Sequence, residues 1–282
     1  MQTIKSIEDI AAGYDVILSD VWGVVHNGEW SFPAAAAALT RLRGAGKTVV
    51  YITNSPRPRD GVITQLGSLG VPDEAWDAVV TSGDVTRTLI DEAPRKVFHI
   101  GGDRDLPIYD GTHAELVEEQ EAQVVVCTGL FDDEVEKPED YLPLLQRLRA
   151  RNLPFICANP DIVVERGERL IWCAGAIARE YGLLGGRTLV AGKPHAPIYE
   201  LAMREAAELR GGAVDFSKVL AIGDGLLTDV KGAINNGFDL LYISAGIHAR
   251  EYGAHGKPDA GKLAAWLDGH GVAPVATMPF LA

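Results

Sequence analysis

Residues 16–24 read VILSDVWGV, an apolar run that ends in an aspartate and is followed shortly by a glycine. Short apolar runs with β-branched residues, closed by a turn, are typical of buried strands in parallel sheets. An aspartate at such a strand end is well placed to act as a nucleophile or a metal ligand. Taken alone, Asp20 is better explained as a residue that closes a turn or caps a helix.

The strand signal recurs on both sides of a long middle segment, and helical patterns separate the strands. The predicted strands are 16–18, 48–53, 78–80, 188–190, 219–222 and 240–243, and the predicted helices are 34–43, 59–69 and 197–209. Alternation of strands and helices indicates right-handed crossovers and a parallel sheet, so the fold class is α/β.

The middle segment carries an α/β pattern of its own. Its predicted strands are 96–100, 123–127 and 154–157, and its predicted helix is 138–151. No low-complexity linker marks either edge of the segment, and a second module inserted into the first explains 282 residues better than one large sheet. We therefore predict a core formed by 1–86 and 182–282, with an insertion over 87–181.

Composition limits the classes of partner and the compartment. Asp and Glu number 39 against 26 Lys and Arg, a formal net charge of −13, which disfavours binding to nucleic acid or to an anionic membrane. The three cysteines are far apart and form no C-x-x-C pair, so neither a disulfide framework nor a zinc ribbon is expected. Residues 1–14 have no apolar core of signal-peptide length. We expect a cytoplasmic protein.

Three further segments follow predicted strands and carry groups that suit phosphate chemistry. Residues 51–55 read YITNS and offer donors to phosphate oxygens, although a helix N-cap explains the same letters. Residues 192–194 read GKP, where the lysine is either a phosphate-neutralising cation or a surface loop residue. Residues 221–229 read AIGDGLLTD, and two carboxylates at this spacing suit Mg²⁺. Parallel sheets bind ligands at the carboxyl ends of their strands, so these segments are able to converge.

The four segments in this order, D-x-x-G-V, T-N, G-K-P and G-D-x-x-x-T-D, resemble the haloacid dehalogenase (HAD) superfamily. The long insertion is similar to that of subfamily IIA, whose large α/β cap occurs in nitrophenylphosphatase-like, pyridoxal-phosphatase-like and sugar-phosphatase-like members. Residues 81–83 and 158–161 add to the likeness, which spans about 15–247. The resemblance implies a Rossmann-like parallel sheet core with an inserted α/β cap domain.

For the metal and the nucleophile, the resemblance implies the following roles. Asp20 would be the catalytic nucleophile and would form an aspartyl-phosphate. Asp20, Asp224 and the backbone carbonyl of Trp22 would hold Mg²⁺, with Asp229 supporting the ion from the edge of the site. The resemblance thus implies a Mg²⁺-dependent hydrolase, a phosphatase of a small phosphorylated metabolite.

For the substrate, the resemblance implies that Thr53, Asn54 and Lys193 bind the transferring phosphoryl group, with Lys193 taking part in catalysis. Asn159 and Asp161 would face the substrate from the cap, although a turn fixed by Pro160 explains the same letters. Caps of this kind often help to make dimers in similar proteins, so a homodimer through the cap is an open alternative.

Trp22 departs from the HAD pattern, because most phosphatases of that superfamily carry a second aspartate there that protonates the leaving group. An indole N–H donates a hydrogen bond but does not exchange a proton usefully near neutral pH. Three explanations stay open. His26 replaces the missing acid, or is a polar loop residue; the substrates have good leaving groups; or the protein binds a phosphorylated ligand without turnover. A dehalogenase-like hydrolase is a further alternative, because dehalogenases also place aromatic residues at this position.

Overall fold

The computed structural model of the chain describes residues 2–254 and 256–282, which form two compact units. The ranges of the first unit are Met1–Thr53, Ile63–Val80 and Tyr199–Ala282, and those of the second are Asn54–Val62 and Thr81–Ile198. The whole predicted insertion, 87–181, lies in the second unit. The boundaries of the insertion at 87 and 181 stay a prediction.

The strands and helices alternate along most of the chain. The strands are β1 (Gln2–Thr3), β2 (Val16–Ser19), β3 (Thr48–Thr53), β4 (Ala78–Thr81), β5 (Lys96–Ile100), β6 (Glu115–Leu116), β7 (Val124–Cys127), β8 (Phe155–Cys157), β9 (Val163–Arg166), β10 (Arg169–Trp172), β11 (Thr188–Val190), β12 (Val219–Gly223), β13 (Asp239–Ile243), β14 (Gly253–Ala254), β15 (Lys257–Pro258) and β16 (Ala276–Met278). The α-helices are α1 (Glu8–Ala11), α2 (Pro33–Gly44), α3 (Arg59–Ser68), α4 (Ser82–Glu92), α5 (Leu142–Ala150), α6 (Ala174–Leu183), α7 (Ala196–Arg210), α8 (Lys231–Asn236), α9 (Ala249–Tyr252) and α10 (Ala260–Gly269).

The first unit is built on a seven-stranded sheet with the order β1-β16-β13-β12-β2-β3-β4. β2 pairs in parallel with both β12 and β3, and every residue of these three strands is buried. Burial on both faces explains why these strands are continuous apolar runs and not alternating ones. Ser19 lies opposite Ile222, so Asp20 leaves its strand beside Gly223.

The second unit contains a five-stranded parallel sheet with the order β11-β8-β7-β5-β6, and an antiparallel hairpin formed by β9 and β10. Val125 and Cys127 of β7 pack into one apolar cluster, whereas Val124 and Val126 pack into another. Alternate side chains of a strand point to opposite faces, so both faces of this sheet are buried. The predicted α/β class with parallel sheets is confirmed.

Every strand and helix that the sequence predicts is present, with ends that differ by no more than two residues, although the helix over 138–151 begins as a 3₁₀ turn. The sequence analysis does not predict α4, α6, α10 or the β9–β10 hairpin. Within residues 2–254 and 256–282, no helix combines the length and the apolar character needed to cross a bilayer.

Candidate active site

Three acidic side chains meet in the first unit, at the carboxyl ends of neighbouring strands. Asp20 follows β2, Asp224 follows β12, and Asp229 lies five residues further on. Each is more than nine-tenths buried, and one carboxylate oxygen from each lies within 4.8 Å of the other two. Direct pairing of β2 with β12 explains the meeting of the first two, because parallel neighbours end at the same edge of the sheet.

Asp224 is held from the loop that follows β13. The backbone N–H of Ile247 donates a hydrogen bond to Asp224 Oδ2 over 2.7 Å. A Cβ atom at Gly246 would overlap this same oxygen, and a Cβ at Gly23, whose φ is +86°, would lie 2.6 Å from it. The carboxylate therefore occupies space that only glycine leaves open at two neighbouring positions.

Asp20 and Asp229 are each oriented by a nearby backbone N–H. Val21 N donates to Asp20 Oδ1 over 2.7 Å, and Gly225 N donates to Asp229 Oδ2 over 3.1 Å. Asp229 belongs to a π-helical turn, Leu226–Val230, and such turns are frequent at functional sites. The local backbone thus fixes the direction of both carboxylates.

The donor set fits a divalent metal ion with oxygen ligands. Three carboxylates buried within 4.8 Å of one another repel, and a cation among them removes that repulsion. Mg²⁺ prefers oxygen ligands, usually one or two carboxylates together with waters. Among the residues that the structure describes, this is the one group of three or more acidic, histidine or cysteine side chains with metal-ligand spacing.

Trp22 lies in a compact loop between β2 and α2. A Cβ at Gly28, whose φ is +87°, would overlap the indole ring, and the His26 ring packs edge-on against that ring at 5.0 Å between centroids. His26 is 1% exposed, and its Nδ1 accepts a hydrogen bond from Gly28 N over 3.0 Å. The acceptor role places the proton of a neutral His26 ring on Nε2, and a second proton requires loss of this bond.

Thr53 is buried at the end of β3 in the first unit, as the sequence predicts. The next residue, Asn54, belongs to the second unit, and both atoms of its side-chain amide form hydrogen bonds. Asn54 Oδ1 accepts from Lys193 N over 2.8 Å, and Asn54 Nδ2 donates to Lys193 O over 3.4 Å and to Asp161 Oδ1 over 2.9 Å. The side chain of Asn54 therefore fixes the backbone of Lys193.

Lys193 is 2% exposed, which excludes the interpretation of a surface loop lysine. Asn159 and Asp161 lie in the same unit, where Asp161 N donates to Asn159 Oδ1 over 3.1 Å. This bond spans two residues around Pro160 and has the form of an Asx turn. The structure thus brings Asn54, Asp161 and Lys193 together, and Asn159 orients the backbone of that group.

The sequence analysis misses the loop after β13, which contains Gly246, Ile247 and His248. His248 Nε2 accepts a hydrogen bond from Leu226 N over 3.2 Å. A signal was present, because 240–243 is a predicted strand that ends at the same edge of a parallel sheet, and a glycine follows three residues later. A search for residues that follow the predicted strands, and not for acidic residues alone, would therefore have found this loop.

Comparison with known proteins agrees with this geometry. A family model described as haloacid dehalogenase-like hydrolase matches residues 17–115, and a second, HAD-hydrolase-like, matches residues 190–271. The crystal structure of a hydrolase of the haloacid dehalogenase-like family from Brucella suis 1330 is 61% identical in sequence. It covers 99% of this chain and 100% of its own, with a TM-score of 0.90. This chain belongs to the haloacid dehalogenase-like hydrolases.

Two more distant relatives of this hydrolase have names that state an activity. An acid sugar phosphatase from Staphylococcus saprophyticus is 25% identical over 241 residues, which are 84% of this chain and 89% of that protein. A glycerol phosphate phosphatase from Mycobacterium tuberculosis, crystallised in complex with calcium, is also 25% identical. The alignment covers 86% of this chain and 69% of that chain, with a TM-score of 0.63.

Proposed function

We propose that this hydrolase is a Mg²⁺-dependent phosphatase of a small phosphorylated metabolite and that Asp20 is its nucleophile. The observation that carries the proposal is the buried cluster of Asp20, Asp224 and Asp229 at the ends of neighbouring strands. Its likeness to a sugar phosphatase and to a glycerol phosphate phosphatase supports a phosphate ester as substrate. A cytoplasmic location is part of the proposal and rests on composition alone.

The proposed reaction has two displacements at phosphorus. In the first, a carboxylate oxygen of Asp20 forms a bond to phosphorus while the bond to the leaving oxygen breaks, and the leaving group takes a proton from solvent. In the second, a water oxygen attacks phosphorus and its proton passes to solvent, the bond between phosphorus and the Asp20 oxygen breaks, and inorganic phosphate and the Asp20 carboxylate are released. Catalysis of this kind depends mostly on position and charge neutralisation.

Asp20, Asp224 and Asp229, together with the backbone carbonyl of Trp22, would hold the metal ion. When bound, the ion neutralises charge on the phosphoryl oxygens and on the carboxylate cluster. Val21 N orients Asp20 through its hydrogen bond to Oδ1, so that the residue has a defined direction before substrate binds.

In the second unit, we assign the phosphate-binding charge to Lys193. Asn54 bonds to both the N–H and the carbonyl of Lys193, so its contribution is to position that lysine. Thr53, Asn159 and Asp161 stay proposed substrate-binding residues. A homodimer through the cap stays a proposal that rests on the resemblance.

Trp22 favours activated substrates over ordinary esters. The indole N–H does not deliver a proton to a leaving group, and His26 uses Nδ1 as an acceptor. General acid help contributes about 10²–10⁴-fold in typical enzymes, so ordinary monoesters are expected to react slowly. The same observation favours a second candidate function, the binding of a phosphorylated metabolite without turnover.

A Mg²⁺-dependent phosphatase screen tests the proposal. The substrates are p-nitrophenyl phosphate and acetyl phosphate, whose leaving groups need little protonation, together with ordinary sugar and nucleotide monoesters. Wild type is compared with Asp20→Asn, Trp22→Asp and His26→Ala. We expect turnover of the activated compounds, its loss in Asp20→Asn, and a gain of monoester turnover in Trp22→Asp.

Other outcomes select among the alternatives. Monoester turnover by wild type that collapses in His26→Ala would make His26 the acid. Saturable binding of a phosphorylated compound without any Asp20-dependent turnover would contradict the phosphatase and favour the binding protein. Halide release that persists with a metal chelator would indicate dehalogenase chemistry.

A further inference from the structure

The loop after β13 contacts the acidic turn after β12 at two points. Ile247 N donates to Asp224 Oδ2 over 2.7 Å. One residue further along the loop, His248 Nε2 accepts from the N–H of Leu226, two residues after Asp224, over 3.2 Å. Asp224 and Asp229 flank Leu226 in sequence. The loop therefore contacts one proposed metal ligand directly, and the turn between both ligands through His248.

The His248 ring is fixed by packing against α10. Its centroid lies 5.1 Å from that of Trp266, which also packs against Tyr252 at 5.4 Å and Tyr242 at 6.1 Å. Burial lowers the pKa of His248, so the neutral ring, with a lone pair on Nε2, is favoured. An imidazolium has no such lone pair and does not accept this bond.

The bond to His248 gives Leu226 N a partner that the turn itself does not provide, because the first N–H groups of a helical turn lack partners within the turn. Leu226 begins the π-helical turn, and Leu227 next to it is 65% exposed, so apolar packing holds this end weakly. The hydrogen bond that Leu226 N donates to a fixed ring then decides where the turn begins. Asp229 lies three residues further on, within the same turn.

We propose that His248 is a positioning residue for the metal site, because its bond to Leu226 N holds the turn that carries Asp224 and Asp229 in metal-binding geometry. The proposal rests on the metal site of the proposed function. It does not depend on the substrate, nor on whether the protein turns it over.

The test measures Mg²⁺ binding by titration calorimetry on the full chain without substrate. His248→Leu removes the acceptor, whereas His248→Gln keeps an oxygen acceptor at the depth of Nε2. His270→Gln is the matched control, since His270 packs against the same Trp266 at 4.5 Å but bonds to Trp266 O. Loss of a residue that orients metal ligands weakens metal binding by about 10–100-fold, and we expect this in His248→Leu only.

Wild-type binding by a folded His248→Leu would overturn the proposal, as would equal weakening in the Gln and Leu variants. A measurement on wild type decides the matter if His248→Leu does not fold. Nitrogen-15 spectra of the imidazole are expected to show the neutral tautomer with its proton on Nδ1, and a proton on Nε2 would contradict the geometry. The two proposals fail separately. If the phosphatase screen shows no turnover but Mg²⁺ binding is weakened in His248→Leu only, the proposed function is overturned and this inference stands.

Discussion

A backbone hydrogen bond and two nearby glycines position the side chain of Asp224. Ile247 N bonds to Oδ2, while Gly23 and Gly246 leave the space that the carboxylate fills. Gly23 also has a φ of +86°, so a larger residue there is strained twice. Gly246 isolates the steric effect, because its φ is not in the left-handed region.

Gly246→Ala is therefore expected to displace the Asp224 carboxylate and to weaken Mg²⁺ binding by about tenfold or more, which corresponds to about 1.4 kcal/mol. Titration calorimetry measures the affinity, and circular dichroism verifies the fold. Gly182→Ala is the control, because Gly182 is exposed in α6 with nothing near its Cα on the side of a new Cβ. A Cβ at Gly246 would lie 1.8 Å from Asp224 Oδ2, so unchanged affinity in Gly246→Ala would mean that the loop or the carboxylate moves by about an ångström or more at little cost.

Strand β5 of the second unit contains a histidine whose charge state links stability to pH. His99 Nε2 lies 3.0 Å from Thr128 Oγ1, and the ring packs edge-on against Tyr109. Burial lowers the pKa of His99 from 6.5 to about 4, against an opposing effect of Asp103. The folded protein therefore favours the neutral form of the His99 ring.

The sign of the pH effect follows from proton uptake. Between pH 6.5 and about 4 the unfolded chain binds a proton at His99 that the folded chain does not bind. The contribution of His99 to the free energy of unfolding is therefore complete above pH 6.5 and is lost as pH falls towards 4. Thermal unfolding midpoints across this interval are expected to fall less steeply in His99→Gln than in wild type. His113→Gln controls for removal of a histidine, and parallel slopes for wild type and His99→Gln would contradict the link.

Elements with a strong pattern are predictable from this sequence, and those without one are not. Strand 48–53 is predicted at both ends, because its run of β-branched and aromatic residues lies between the polar residues Lys47 and Asn54. Helix α4 is missed although its start is written in the sequence. Thr81 and Asp84 form a capping box, with Asp84 N bonded to Thr81 Oγ1 over 2.9 Å. The π-helical turn has no sequence signature of this kind.

The candidate functional residues of each unit are likewise predictable only in part. Asp20, Asp224 and Asp229 are predictable, because parallel strands bring their carboxyl ends to one edge. The engagement of Asn54 with the backbone of Lys193 spans 139 positions and depends on the folded second unit. The bond from Leu226 to His248 depends on the packing of α10. Contacts that depend on tertiary packing have no local sequence pattern from which to predict them.

For the whole molecule, the acidic cluster adds to an existing excess of negative charge. The chain has a net charge of −13, and like charges destabilise the compact state. Three buried carboxylates, with one oxygen of each within 4.8 Å of the other two, bring part of that charge close together. Without a cation they destabilise the fold, whereas a bound cation stabilises it in proportion to its concentration relative to the dissociation constant.

Asp229→Asn is therefore expected to change thermal stability in opposite directions under two conditions. With a chelator its unfolding midpoint lies at or above that of wild type, because one repulsive charge is gone while an oxygen still accepts from Gly225 N. With Mg²⁺ the midpoint of wild type rises, and that of the variant rises little. Glu208→Gln, at an exposed position of α7, removes the same charge and is expected to keep the full response to Mg²⁺. A wild-type midpoint that does not respond to Mg²⁺ would show that the cluster is no metal site, because a ligand that binds only the folded state must raise it.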